Sequence, residues 1–224
     1  TYAPYGGRSP DEIRARSFAV TEHLIARGAE LIVVACNTAT AHAIEALRAR
    51  WPALPFVGTE PGIKPAVAAT RNRRIGLLAT PATAASDRLQ ALIARHIGDC
   101  EVVVQGCGGV VEHIEAGDLD SPELRDLVDR YCAPLRAAGV DTALLGCTHY
   151  PLIEPLWQAA LGPQVTLLNI ETAVARRAAA LWAPDAETSA LHVETSGDPD
   201  ALRSWLARVL GWRAADVRHW QAAL

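Results

Sequence analysis

The sequence has no Cys-x-x-Cys and no His-Glu-x-x-His, so no metal site is signalled. No G-x-G-x-x-G and no P-loop follows a strand-like run, which leaves nucleotide binding with little support. Charge of one sign is also lacking: 21 Lys and Arg stand against 25 Asp and Glu, a net charge of −4. Without a basic footprint, nucleic acid is not the expected partner. Uncharged apolar runs such as 31–36 are far too short to span a bilayer, so no membrane association is expected. No signal peptide is visible at the start. The five cysteines, Cys36, Cys100, Cys107, Cys132 and Cys147, are odd in number and widely spaced. That argues against a disulfide framework and fits a reducing, cytoplasmic setting. Short-period repeats and low-complexity tracts are absent as well.

What is present reads as a soluble globular protein. The 224 residues are 50% hydrophobic and 21% charged, enough for one large or two small domains. The opening Thr1-Tyr2-Ala3-Pro4-Tyr5-Gly6-Gly7-Arg8 is turn-like, with no strand before it. A helix is predicted after Ser9-Pro10-Asp11-Glu12, because Ser9 can cap, Pro10 fits the first turn and acids favour that end; Gly28 closes it. Apolar runs at 31–35, 56–58, 75–79, 101–104, 142–145 and 165–168 read as strands. Helical spacing fills the intervals, at about 39–50, 62–71, 84–97, 121–138, 151–161 and 171–182. Strands alternating with helices predict an α/β protein with parallel sheets flanked by helices. The two halves of the pattern predict two similar lobes with the active site in the cleft between them. Residues 1–60 with 171–224 form the first lobe and residues 61–170 the second.

Cys36 and Cys147 stand in matching places. Each closes an apolar strand-like run, Leu31-Ile32-Val33-Val34-Ala35 and Ala143-Leu144-Leu145-Gly146, each precedes a helical stretch, and Thr follows within two residues. Ligands of open α/β sheets collect at such strand ends. A helix N-terminus is expected to lower a thiol's pKa and favour the thiolate. Most cysteines are small buried apolar residues; the repeated setting is what points these two to chemistry. Two thiols facing one crevice can remove a proton from a carbon and return one from the other side. Cys100, Cys107 and Cys132 lack the setting and are assigned to packing. Asn37, Thr38 and Thr148 offer side-chain hydrogen bonds to an amino-acid-like ligand, and exposed N–H groups at helix starts can hold a carboxylate. Thr80 and Thr83 end another strand and can face the same cleft, although helix capping is the ordinary role for such threonines. His149 is two residues from Cys147 and can trade a proton with it. His23, His42, His113 and His192 have no such context. Spacing alone does not choose between Glu112 and Glu115 as a site carboxylate.

Taken together these residues resemble glutamate racemase, a family within the aspartate/glutamate racemase superfamily. The matching stretches run in order through most of the chain. They are Pro4-Tyr5-Gly6 with Arg8-Ser9-Pro10, Ala35-Cys36-Asn37-Thr38-Ala39, Glu60-Pro61-Gly62, and Ile75-Gly76 with Thr80 and Thr83. Gly146-Cys147-Thr148-His149-Tyr150-Pro151 and Thr195-Ser196-Gly197-Asp198 complete the set. The resemblance implies cofactor-independent interconversion of L- and D-glutamate for bacterial cell-wall synthesis. Cys36 would take the α-proton from D-glutamate and Cys147 from L-glutamate. His149 would assist Cys147, with Glu115 near the site. Tyr5, Gly6, Asn37, Thr38, Thr148 and His149 match substrate-binding positions. The implied partner is a small-molecule substrate, with a homodimer left open. Aspartate or hydantoin racemisation, or silent amino-acid binding, are the alternative readings. Two departures stand out. The family's Asp-Ser-Gly motif, whose Asp assists the first cysteine, does not occur in these residues, and the family layout places a further strand and helix ahead of Thr1. Cys107-Gly108-Gly109 stands where the family has a bulkier, proline-containing stretch.

Overall fold

The structure, a computed structural model, describes residues 2–182, 190–213 and 216–220. Of the range expected for the first lobe, residues 1, 183–189, 214–215 and 221–224 lie outside the described residues.

Helix α1 (Pro10–Ala26) starts in a capping box. The Glu12 N–H donates to Ser9 Oγ at 3.3 Å, and the Ser9 N–H donates back to the Glu12 carboxylate at 3.0 Å. Strand β1 (Ile32–Val34) pairs in parallel with β2 (Phe56–Gly58), and α2 (Asn37–Arg50) makes the crossover between them. The α2 residues Ala43, Ile44 and Leu47 bury their apolar stripe against Ile32 and Phe56.

A four-stranded parallel sheet carries the middle of the chain. Its order is β4 (Glu101–Gly106), β3 (Arg74–Ala79), β5 (Thr142–Leu145) and β6 (Thr166–Leu168). Ile75 through Ala79 are all buried, as expected of an apolar run covered on both faces. On one face Leu78, Ala143 and Leu145 pack with Leu124, Val128 and Leu135 of α7 (Pro122–Ala137) and Trp157 of α8 (Glu154–Leu161). On the other, Ile75, Leu77 and Leu144 pack with Ile63 and Ala66 of α3 (Ile63–Ala69) and Leu89 of α5 (Asp87–His96). The chain leaves β3 for β4 on one side and comes back to β5 on the other. The sheet therefore has its topological switch point at the carboxyl ends of β3 and β5, where a crevice opens. Thr80 follows β3 and Cys147 follows β5 into that crevice. At the end of β5 the Gly146 N–H donates to the Leu78 carbonyl at 2.7 Å. A Cβ at Gly146 would stand 2.9 Å from that oxygen and 2.8 Å from Leu77 Cδ1, so the turn into Cys147 runs against β3 only without a side chain.

Some elements differ from the sequence-based expectation. A separate short helix α4 (Pro81–Ala84), which was not expected, precedes α5, the helix expected at 84–97, which starts at Asp87. Thr80 caps the first, and Ser86 caps the second by accepting from the Leu89 N–H at 3.2 Å. A short helix α6 (Val110–Glu115) follows β4, where none was expected; six residues give too little periodicity to read. After α9 (Glu171–Leu181), which packs against β2, comes a unit that the sequence did not announce. Its strands β7 (Val193–Thr195) and β8 (Val217–His219) pair in parallel around α10 (Pro199–Trp205) and a π-helical turn at Leu206–Leu210. Glu194 of β7 pairs with His23 and, at 3.1 Å, with Arg27 beside α1. Among the described residues no helix is long and apolar enough to cross a membrane.

Candidate active site

Cys36 leaves β1 in extended conformation and forms the N-cap of α2, where its sulfur accepts the Ala39 N–H at 3.4 Å. Cys147 leaves β5 and lines the same cavity of about 750 Å³. The Thr148 hydroxyl donates to the Ala35 carbonyl at 3.3 Å, tying the turn after the second cysteine to the residue before the first. Tyr5, Gly6, Asn37, Thr38, Thr80 and His149 also line this cavity. Thr83 and Glu115, the remaining expected site residues, stand behind the wall, each bonded to a lining residue.

Three hydroxyls lock one another. Thr38 Oγ1 lies 2.8 Å from Thr80 Oγ1 and 3.1 Å from Thr83 Oγ1, and the last two are 3.0 Å apart. Thr80 also caps α4, so capping and lining coexist in one side chain. Gly6 lies close against it: a Cβ at Gly6 would be 3.1 Å from Thr80 Cβ. Asn37 is 3% exposed, yet neither its amide nitrogen nor its oxygen has a partner. A buried amide without partners costs about 1–3 kcal/mol per group and calls for an explanation. A ligand carrying both a hydrogen-bond donor and an acceptor would supply one.

The two thiols differ in electrostatics. Burial pushes the Cys36 thiol up from its ordinary value, the Ala39 N–H pulls it down, and the nearby Cys147 adds to the rise. The expected lowering at a helix N-terminus is therefore overturned here, because loss of solvent outweighs the helix end. Cys147 has no α-helix directly after it; a 3₁₀ turn at Tyr150–Ile153 intervenes before α8. Its company is His149 instead. The Cys147 sulfur is 3.9 Å from His149 Nδ1, and His149 Nε2 is 2.6 Å from Glu115 Oε1. Burial alone would push the imidazole down, but its bonds with Cys147 and Glu115 raise its pKa to about 9. The same hydrogen bond, against the pull of burial, holds the Glu115 carboxyl below its ordinary value. His149 is thus an imidazolium at neutral pH, able to pass a proton to the sulfur or take one back.

Other lining residues escaped the sequence reading. Arg16 is buried on the α1 face that carries Ile13 and Ser17, and its guanidinium stacks 3.8 Å from the Tyr2 ring centroid. The sequence held no local signal for it, because the buried face of α1 carries Ile13 with the polar Ser17 and Thr21 rather than an apolar stripe. His23, His192, Glu194, Thr195 and Trp220 also line the cavity. Neither histidine has a local sequence context that marks it; the fold supplies that context from segments far apart in the chain. Among the described residues no group of three or more His, Cys, Asp or Glu side chains is placed to hold a metal ion.

Comparison with known proteins places the chain in company. A family model described as Asp/Glu/Hydantoin racemase matches residues 1–178. A glutamate racemase of Herpetosiphon aurantiacus is 52% identical over 202 residues, covering 88% of this chain and 79% of that protein. One from a Roseiflexus species is 46% identical over 213 residues, covering 92% and 78%. The crystal structure of Escherichia coli glutamate racemase, in complex with L-glutamate and the activator UDP-MurNAc-Ala, superposes with a TM-score of 0.85 at 32% identity. That likeness covers 99% of this chain and 85% of the other.

Proposed function

The chain belongs to the Asp/Glu/hydantoin racemase family, and on that premise we propose that it interconverts L- and D-glutamate by a cofactor-independent, two-cysteine proton transfer. One observation carries the reading. Cys36 and Cys147 reach a single cavity from two separate parallel sheets, with their flanking turns joined by the Thr148–Ala35 hydrogen bond. In this reading the lobes are residues 1–60 with 171–224, and residues 61–170. The product would be D-glutamate for peptidoglycan, made in the cytoplasm.

The α-proton of an amino acid is a very weak acid, so negative charge growing toward the α-carboxylate must be met by fixed donors. The Asn37 side-chain amide is the available donor; the Thr38, Thr80 and Thr148 hydroxyls also line the cavity, but each is engaged within the protein and would have to turn its proton to the substrate. With D-glutamate bound, Cys36 takes the α-proton and Cys147 delivers one to the opposite face. With L-glutamate the roles reverse, and His149 serves Cys147 in both directions. The raised Cys36 thiol suits a proton donor at rest, and it becomes a stronger base once ionised.

The test is a substrate panel on the purified chain, comparing L- and D-glutamate with the enantiomers of aspartate and of a substituted hydantoin. Racemisation of glutamate with the highest kcat/KM is expected. A preference for aspartate or hydantoin, or glutamate binding without turnover, would overturn the assignment.

A further inference from the structure

We propose that the C-terminal unit of β7, α10 and β8 is a strap that positions Glu115, with Trp205 and Arg208 gripping the helix end that carries it. Glu115 is the last residue of α6, a helix of six residues. So short a helix does not hold its own orientation and takes it from what it packs against. The carbonyls on either side of Glu115 are both held from the C-terminal unit. The Trp205 indole N–H donates to the Ile114 carbonyl at 3.0 Å, and Arg208 Nη2 donates to the Ala116 carbonyl at 3.2 Å. A cation at a helix C-terminus is also favourable to the helix. Gly117 makes the grip sterically feasible. It takes φ +76°, and a Cβ there would stand 1.9 Å from Arg208 Nη2 and 2.3 Å from Cζ. Trp205 further packs against the core shared by Ile114 and Tyr150.

At its other end the strap is tied to α1. Glu194 accepts from His23 and Arg27, and the Trp220 ring lies 4.4 Å from the His23 ring. The unit thus crosses from α1 to α6, lining the cavity with Glu194, Thr195 and Trp220 on the way. Whatever moves the strap moves Glu115 relative to His149, and so changes how firmly the imidazole holds its proton. His149 is faced by Cys147 from its own turn and Glu115 from α6; Tyr2, Tyr5, Arg16, His23, Arg27, Cys36, His192 and Glu194 are the further titratable or charged residues that line the cavity, and His113 of α6 is paired with Asp118.

The inference rests on the acid–base reading of Cys147 and His149 for its catalytic meaning but not for its test. The imidazole of His149, assigned by the signal lost in His149→Gln, is titrated by carbon-13 NMR in the full chain. Wild type is compared with Trp205→Phe, Arg208→Ala and the double variant. Arg203→Ala on the same helix, paired with exposed Asp200, is the control. The midpoint is expected to fall from about 9 toward the ordinary 6.5 in the variants and to stay put in the control. In parallel, kcat/KM for glutamate should fall on the order of tenfold, a part of the 10²–10⁴ that acid–base catalysis supplies, mainly through kcat. An unchanged His149 midpoint in a double variant that melts like wild type would overturn the proposal. If the double variant does not fold, Arg208→Ala, an exposed side chain, decides by the same criterion. The titration needs no turnover, so a failure of the glutamate assignment would show separately, as an inactive wild type with the midpoint shift intact.

Discussion

Cys36 is a half-buried thiol held up by loss of solvent, whereas the buried Cys147 looks at an imidazolium backed by a carboxylate. Two unlike surroundings thus serve residues whose sequence settings match. Replacing either cysteine by Ala should abolish racemisation, because removal and return of the proton are both needed. Ser at either place should leave little activity, since an alcohol is a far weaker acid; near-normal turnover in either Ala variant would refute the pair. Asn37→Ala gives a sharper contrast. The wild-type amide has no partner within the protein, so its loss breaks no internal hydrogen bond and should leave the melting temperature nearly unchanged. The KM for glutamate should rise about tenfold or more, the worth of a hydrogen bond to a charged group. A large loss of stability with unchanged KM would mean that Asn37 is structural. At this scale the two cysteines were legible because strand-end thiols followed by Thr form a local pattern. The choice of Glu115 over Glu112 was not, because only the docking of α6 turns one of them toward His149. Arg16 was hidden for a similar reason: its neighbours Tyr2 and Trp220 come from opposite ends of the chain.

At the scale of elements, the strand ends deliver the chemistry. Gly146 lets β5 run hard against β3 before the Cys147 turn. Gly146→Ala should therefore destabilise by about 1–3 kcal/mol, the usual cost of overpacking, and shift Cys147. Urea unfolding reads the first effect and kcat the second; wild-type values for both would show that the turn relaxes freely. The α6–His149 contact has a pH signature. His149 is raised from 6.5 to about 9, so its contribution to stability is full below pH 6.5 and is lost as pH rises through 9. Glu115 is lowered from 4.5, so the same contact seen from its other partner is full above pH 4.5 and is lost in acid. The melting-temperature gap between wild type and Glu115→Gln should be widest between about pH 4.5 and 6.5 and close above pH 9. A gap independent of pH would mean that the pair is not ionic. The long buried strands and capped helices were legible, since Ser9-Pro10 and the run 75–79 carry strong local signals. The one-turn helix α4 was not, because four residues give no periodicity to read. Strands β7 (Val-Glu-Thr) and β8 (Val-Arg-His) carry one apolar residue each, so no apolar run marks them.

Across the whole molecule, the strand order β4-β3-β5-β6 sets a crevice at the ends of β3 and β5, and β1 brings Cys36 to it from a second sheet. The alternation of strands and helices announced parallel sheets with helices on their faces, but strand order and the closing C-terminal strap are products of long-range packing that no local pattern encodes. The central claim is that two different groups exchange the α-proton on opposite faces of one carbon. Its most direct test is the initial racemisation of D- and of L-glutamate in deuterium oxide, with label followed in both enantiomers by mass spectrometry and NMR. Two bases predict that product formed early carries solvent deuterium at the α-carbon while remaining substrate carries none, in both directions. Deuterium entering substrate and product at equal early rates would show a single base working on both faces and would contradict the account.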